Sequence, residues 1–222
     1  MEIPLIDLAP WFHGDDQDRR RLATEVDEHL QAVGFLLVTN HGIDPSVFDE
    51  ARTSVAEFYR LDASLKDRYR YRGGPYRGWV PQGAESNAGA YGVDAPPDLK
   101  ETFAVGNPNV PDRLRATGLR WFAPNVYPDD EVPDFRPNVD RFIVESAGLV
   151  TELLGLLSLS LGLPEDTMRD QCRQMVMSAS LNWYGPRAAL AGPVLDGQLR
   201  IGPHRDYGTL TVLDRQPGMG GL

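Results

Sequence analysis

Helical and β-type patterning are segregated along this chain, and the character changes near Met175. Before it, apolar residues recur at helical spacing over long stretches. After it, "MVMSASLNWYG", "GQLRIGPH" and "GTLTVL" read as short strands separated by Gly/Pro turns. Helices and mixed structure first, then an all-β segment, point to an α+β fold with a mainly β core.

The first part can be read in some detail. Residues 15–33 carry Leu22, Ala23, Val26, Leu30 and Val33 on one helical face, and Gly34 ends the pattern. Asp44 caps a second helix with Pro45 at its first position, and Val47, Phe48, Ala51, Val55 and Phe58 form its apolar side. The longest helix runs from Pro137 to about Leu161, with Phe142, Ile143, Val150, Leu153, Leu154 and Leu157 as a wide core-facing stripe. "GLPED" ends it and starts a short helix. "IPLIDL" is a short strand, "FLLVTN" a buried strand, and "HGI" a turn. Residues 72–109 are rich in Gly and Pro but interleaved with aromatics, so short strands and loops packed on a core are expected there, not a linker. Three or four strands after Met175 leave open edges, so the sheet is expected to continue past the terminal "GMGGL".

Charge narrows the partners. Lys plus Arg number 22 against 32 Asp plus Glu, a formal net charge of −10, which argues against a nucleic-acid backbone or an anionic membrane. The single cysteine, Cys172, permits no internal disulfide and is expected to be a small buried apolar residue. "MEIPLIDLAPW" lacks the basic and apolar regions of a signal peptide, and "LLGLLSLSLGL" falls short of the roughly 20 apolar residues a span needs. These features predict a cytoplasmic protein.

Chemistry concentrates in "GPHRDYGTLTVL", Gly202 to Leu213. Residues two apart on a strand face the same way, so His204 and Asp206 present an imidazole and a carboxylate to one point while Arg205 faces the other side. One nitrogen and one hard oxygen suit a divalent first-row metal, and a second histidine would complete the 2-His-1-carboxylate set of non-haem Fe(II). The remaining histidines are weak candidates: His13 in a polar loop, His29 on an amphipathic helix, and His41 in a turn. Without further context the pair reads first as an ordinary hydrogen-bonded couple.

Context comes from a resemblance. "GPHRDYGTLTVL" resembles the iron-binding strand of the isopenicillin N synthase-like family of Fe(II)- and 2-oxoglutarate-dependent oxygenases. "IPLIDLAPW", "AVGFLLVTNHGI", "YRGWVPQGAE", "DLKETFAVG" and "LNWYGP" are similar to further family blocks, in order and over nearly the whole chain. The resemblance implies a double-stranded β-helix (a cupin-like jelly roll) with flanking N-terminal helices. It divides the chain into a non-haem dioxygenase N-terminal region at residues 1–120, a helical connection at 121–174, and the start of the dioxygenase domain at 175–222. It makes His204 and Asp206 iron ligands and catalytic residues, with a distal His and an Arg-x-Ser motif expected beyond Leu222. It gives Asn182 and Tyr184 a part in cosubstrate binding, with Trp183 turned away and Gly185 standing where the family has Pro. Arg77 and Trp79 are substrate-contact candidates, and Lys100 and Glu101 a surface or structural pair. The implied cofactors are Fe(II), 2-oxoglutarate and O2, with ascorbate as reductant in assays. The implied reaction hydroxylates, desaturates or cyclises a small molecule and releases succinate and CO2. Two other readings stay open: a family oxidase that uses no 2-oxoglutarate, and a non-catalytic jelly roll that binds a small molecule.

Overall fold

The computed structural model describes residues 2–174, 176–186, 192–216 and 218. Along the chain these form β1 (Leu5–Asp7), α1 (Ala9–His13), α2 (Asp16–Val33), β2 (Leu37–Thr39), α3 (Pro45–Arg60), α4 (Ala63–Lys66), β3 (Gly78–Val80), β4 (Glu101–Gly106), α5 (Asp112–Arg115), α6 (Phe135–Ser160), α7 (Asp166–Gln171) and β5 (Ser178–Trp183). Mixed helix and sheet is thus the observed class. The chain falls into two units, residues 1–45 with 144–175, and residues 46–143 with 176–222.

In the first unit, β1 and β2 pair in parallel, with Leu5 opposite Leu37 and Asp7 opposite Thr39. The helix between them is set by local chemistry. The Asp15 side chain accepts from the backbone of Gln17 and Asp18, Asp18 returns a bond to the Asp15 backbone, and Gly34 closes α2 in the left-handed conformation. Leu22, Ala23 and Val26 are buried. "FLLVTN" departs from its expected burial: Phe35 and Leu37 are exposed. A two-strand ribbon has one neighbour per strand, and no described residue covers this face. Trp11 is buried, donating through Nε1 to Glu152 at 3.0 Å under the Arg19 guanidinium, 3.8 Å above its ring. Cys172 is half-buried just after α7, not enclosed.

The second unit is built on a three-stranded antiparallel sheet in the order β3-β4-β5. Trp79 lies opposite Phe103, and Phe103 opposite Leu181. Side chains alternate across a strand, so one face carries Trp79, Phe103, Val105, Leu181 and Trp183. That face packs on α3 and the start of α6. Phe103 meets Phe58 at 4.8 Å and Phe135 at 4.9 Å between ring centroids, both tilted or edge-on, and all three rings are fully buried. The opposite face carries Thr102 and Asn182, which are register partners.

α6 begins two residues before Pro137. Proline is tolerated there because the first turn of a helix has no intrahelical use for its N–H groups. The helix is long and apolar enough to cross a bilayer by length and composition. Its Phe135, Val139, Ile143, Leu149, Leu154 and Leu156 are buried within the protein.

One expectation fails in this unit. "GQLRIGPH" and "GTLTVL" are not strands. A strand exists only by sharing a hydrogen-bond ladder with a neighbour. Among the described residues this segment makes a single backbone bond to the sheet region, Leu99 N to Leu199 O at 3.0 Å. The terminal residues 219–222, where the sheet was expected to run on, lie outside the described residues.

Candidate active site

His204 and Asp206 converge although no strand holds them. His204 Nε2 lies 3.3 Å from Asp206 Oδ1, and both side chains reach solvent. Spacing two apart in extended chain is enough to bring them to one side. The other ring nitrogen is occupied: Nδ1 lies 2.9 Å from the Gly202 carbonyl, which can only accept. With Nδ1–H donating to that carbonyl, Nε2 on the Asp206 side is the ring nitrogen that would bind a metal ion. Metal-binding histidines have this arrangement, with the remote N–H on a carbonyl or carboxylate. The separation lets both donors reach one ion at about 2.0–2.2 Å. The donor set fits a divalent first-row metal as far as two ligands go. Among the described residues, no three His, Cys, Asp or Glu side chains form a group that could hold one.

Asn182 and Tyr184 lie at the end of β5 and just past it. Thr102 Oγ1 is 2.9 Å from Asn182 Oδ1, and Lys100 Nζ is 2.7 Å from Thr102 Oγ1. Glu85 Oε2 holds the same ammonium at 2.9 Å, while Glu85 Oε1 accepts from the Tyr76 hydroxyl. Sequence reasoning missed this relay. It paired Lys100 with Glu101, but consecutive strand residues face opposite ways. Lys100 is buried with Glu85 and Thr102, while Glu101 accepts from Lys66 at 2.8 Å and from the Trp79 indole at 2.7 Å. Burial first, then the Asp98 carboxylate, holds the Tyr184 hydroxyl above its usual range, with Arg200 opposing. Trp183 turns to the core and stacks on Tyr59 at 5.5 Å.

Trp79 is buried in the core cluster, and its only donor is committed to Glu101. Arg77 is buried as well. It donates to the carbonyls of Tyr76 at 2.8 Å and Trp121 at 3.0 Å. Its Nε has no partner among the described residues. The guanidinium lies over Gly106, where a Cβ would come within 2.0 Å of Nη2. Burial lowers the pKa of this cation. Neither residue bonds to the His204 pair, nor do Asn182 and Tyr184, among the described residues. A shallow cavity of about 590 Å³ lies elsewhere in this unit, lined by Tyr71, Pro75, Arg115, Leu119, Arg120 and Phe122. His41 serves its turn, its Nδ1 accepting from Ile43 N at 3.2 Å.

This geometry sits in a chain whose residues 3–130 match the family model described as the non-haem dioxygenase in morphine synthesis N-terminal region. The chain belongs to that non-haem dioxygenase family, among the relatives of the 2-oxoglutarate-dependent dioxygenases. It is 30% identical to a validamycin A dioxygenase of Streptomyces hygroscopicus subsp. limoneus, over 99% of this chain and 60% of that protein. It is 29% identical to the 2-oxoglutarate-dependent dioxygenase frbA of Dothideomycetidae sp. (strain 11243), over 100% of this chain and 65% of that protein. The chain thus spans somewhat under two thirds of the length of these relatives. Among solved structures, it superposes with a TM-score of 0.69 on a protein of Caulobacter crescentus assigned to the 2OG-Fe(II) oxygenase family, at 26% identity, covering 85% of this chain and 58% of that one. JOX2, solved in complex with 2OG, Fe and JA, aligns with a TM-score of 0.56 and 26% identity, covering 82% of this chain and 47% of that one.

Proposed function

We propose that the protein is an Fe(II)- and 2-oxoglutarate-dependent oxygenase that hydroxylates, desaturates or cyclises a small molecule in the cytoplasm, releasing succinate and CO2. In this reading the fold is a double-stranded β-helix. Residues 175–222 open it, residues 1–120 form the N-terminal region, and residues 121–174 connect the two. The observation that carries the proposal is the convergence of His204 Nε2 and Asp206 Oδ1 at 3.3 Å, with the other ring nitrogen 2.9 Å from the Gly202 carbonyl.

Bound Fe(II) would supply the activation of O2 for oxidation of a substrate C–H bond, with 2-oxoglutarate as the co-reductant. His204 and Asp206 would hold the metal through one nitrogen and one oxygen, and the Asp206 carboxylate would offset part of the cation's charge. Asn182 would donate through its amide nitrogen, which Thr102 leaves free, to a 2-oxoglutarate carboxylate oxygen. Tyr184, held neutral, would donate its hydroxyl proton beside it. Arg77 is the substrate-side candidate.

The test uses the full-length protein with Fe(II), 2-oxoglutarate, ascorbate and O2, and measures succinate. Formation that disappears in His204→Ala supports the proposal. Iron binding without succinate, even with a productive substrate, would favour the oxidase reading. Failure to bind iron would favour a binding module.

A further inference from the structure

Asp98 is 3% exposed, and it sits on the loop leading into β4. Its Oδ2 accepts from the Asn87 backbone N–H at 3.1 Å and from the Asn87 amide. Its Oδ1 accepts from the Gly202 backbone N–H at 2.9 Å, bridging 104 residues of sequence. The carboxylate is itself fixed, since Asp98 N donates to Glu85 O at 2.8 Å and Asp98 O accepts from Gly83 N at 3.2 Å. Flanking bonds hold the same two segments together: Leu99 N to Leu199 O at 3.0 Å, and Gln198 Nε2 to Pro97 O at 2.7 Å.

A buried carboxylate with several donors is usually a clasp that holds one loop to another. What Asp98 holds makes it more than that. Gly202 is the residue whose carbonyl receives His204 Nδ1 at 2.9 Å. The approach is close: a Cβ on Gly202 would lie 2.9 Å from Ala88 Cβ and 3.1 Å from Ala88 N. One glycine residue therefore has its N–H fixed by Asp98 and its C=O bonded to the histidine ring. A side-chain hydrogen bond orients a ring only as firmly as the acceptor itself is held. Among the described residues no strand ladder holds the His204 backbone, and Asp98 supplies support in its place.

We propose that Asp98 is a positioning residue for metal binding, fixing through Gly202 the orientation of the His204 imidazole. The inference rests on His204 being a metal ligand. Loss of an outer partner of this kind typically weakens metal binding about 10- to 100-fold. In Asp98→Asn the shape is kept, but one oxygen becomes an amide nitrogen that cannot accept, so either Gly202 or Asn87 loses its acceptor.

The experiment titrates full-length apo-protein with Mn(II), followed by the electron paramagnetic resonance of the free ion, and records 15N spectra of the histidine rings. Expected are a roughly tenfold or greater loss of Mn(II) affinity in Asp98→Asn and loss of the His204 Nδ1 hydrogen bond. Asn125→Ala, a remote destabilising variant at the far end of β4, is expected to leave both readouts unchanged. Should Asp98→Asn not fold, Asn87→Ala removes one donor to the same carboxylate and is expected to weaken affinity in the same direction, by about threefold. His204→Ala separates the two claims. If it leaves Mn(II) affinity intact, the metal-site reading fails. If it abolishes binding while Asp98→Asn or its substitute binds as wild type with the His204 Nδ1 hydrogen bond retained, the positioning role of Asp98 is overturned.

Discussion

Thr102 Oγ1 donates to Asn182 Oδ1 at 2.9 Å across the β4–β5 register, and the direction of that bond follows from its neighbour. Lys100 Nζ, 2.7 Å from the same hydroxyl, is an ammonium and can only donate. Thr102 must accept from Lys100 and spend its one proton on Asn182. The Asn182 carbonyl is therefore held toward Thr102, and its NH2 group faces outward as a donor.

Thr102→Val is expected to break this relay in two ways. Lys100 and Asn182 each lose a buried partner, costing about 1–3 kcal/mol of stability, read by denaturant unfolding. The Asn182 amide is also released, so the Kd for 2-oxoglutarate in the full-length protein should rise several-fold. An unchanged Kd would separate Asn182 from the cosubstrate.

Lys66 and Glu101 form an ion pair whose side chains are only 10% and 19% exposed. The ammonium also lies 5.2 Å above the Trp79 ring centre. Lys66→Met leaves the Glu101 carboxylate with only the indole N–H among the described residues, and should cost about 3–5 kcal/mol. Glu101→Gln should partly restore stability when combined with Lys66→Met. A double-mutant cycle in urea checks this, and additive losses would contradict it.

Asn125 acts as a short substitute strand at the end of β4. Its Oδ1 accepts from Gly106 N at 2.6 Å, and its Nδ2 donates to Gly106 O at 2.9 Å. The same amide donates to the Tyr127 hydroxyl at 2.8 Å. Asn125→Ala frees both backbone groups of Gly106 in one step and should destabilise by about 2–3 kcal/mol. Thermal unfolding measures this, and a loss below the cost of one ordinary hydrogen bond would mean that other groups take over.

Alkaline pH should destabilise the protein through its tyrosines. Burial and the Glu131 carboxylate push the Tyr69 hydroxyl up to about 12. Burial likewise raises Tyr59, Tyr76, Tyr127 and Tyr184. Because the folded value exceeds the unfolded value of about 10, the neutral hydroxyl's contribution is complete below about pH 10. It is lost as pH rises through about 12 for Tyr69. The unfolding midpoint should fall across that window, and Tyr69→Phe should make the fall shallower. A midpoint independent of pH there would contradict the assignment.

The sequence by itself determined the elements whose causes are local. The cap at Asp15 with Asp18, the stop at Gly34 and the period of Leu22, Ala23 and Val26 specify α2 within one stretch. The long apolar stripe did the same for α6, and the i, i+2 spacing of His204 and Asp206 foretold their convergence. What faces what was settled only in three dimensions. Phe35 and Leu37 look like a buried strand but are exposed, because burial depends on what packs above a strand. "GTLTVL" has strand chemistry without a ladder, because the partner is half of a strand. Lys100 and Glu101 are neighbours in sequence yet point to Glu85 and Lys66 respectively, because pleating sends them to opposite faces. Asp98 shows the limit most plainly. Nothing in "APPDLKETF" hints at the histidine, since the link consists of two hydrogen bonds to the ends of Gly202, and only folding brings that peptide to the carboxylate.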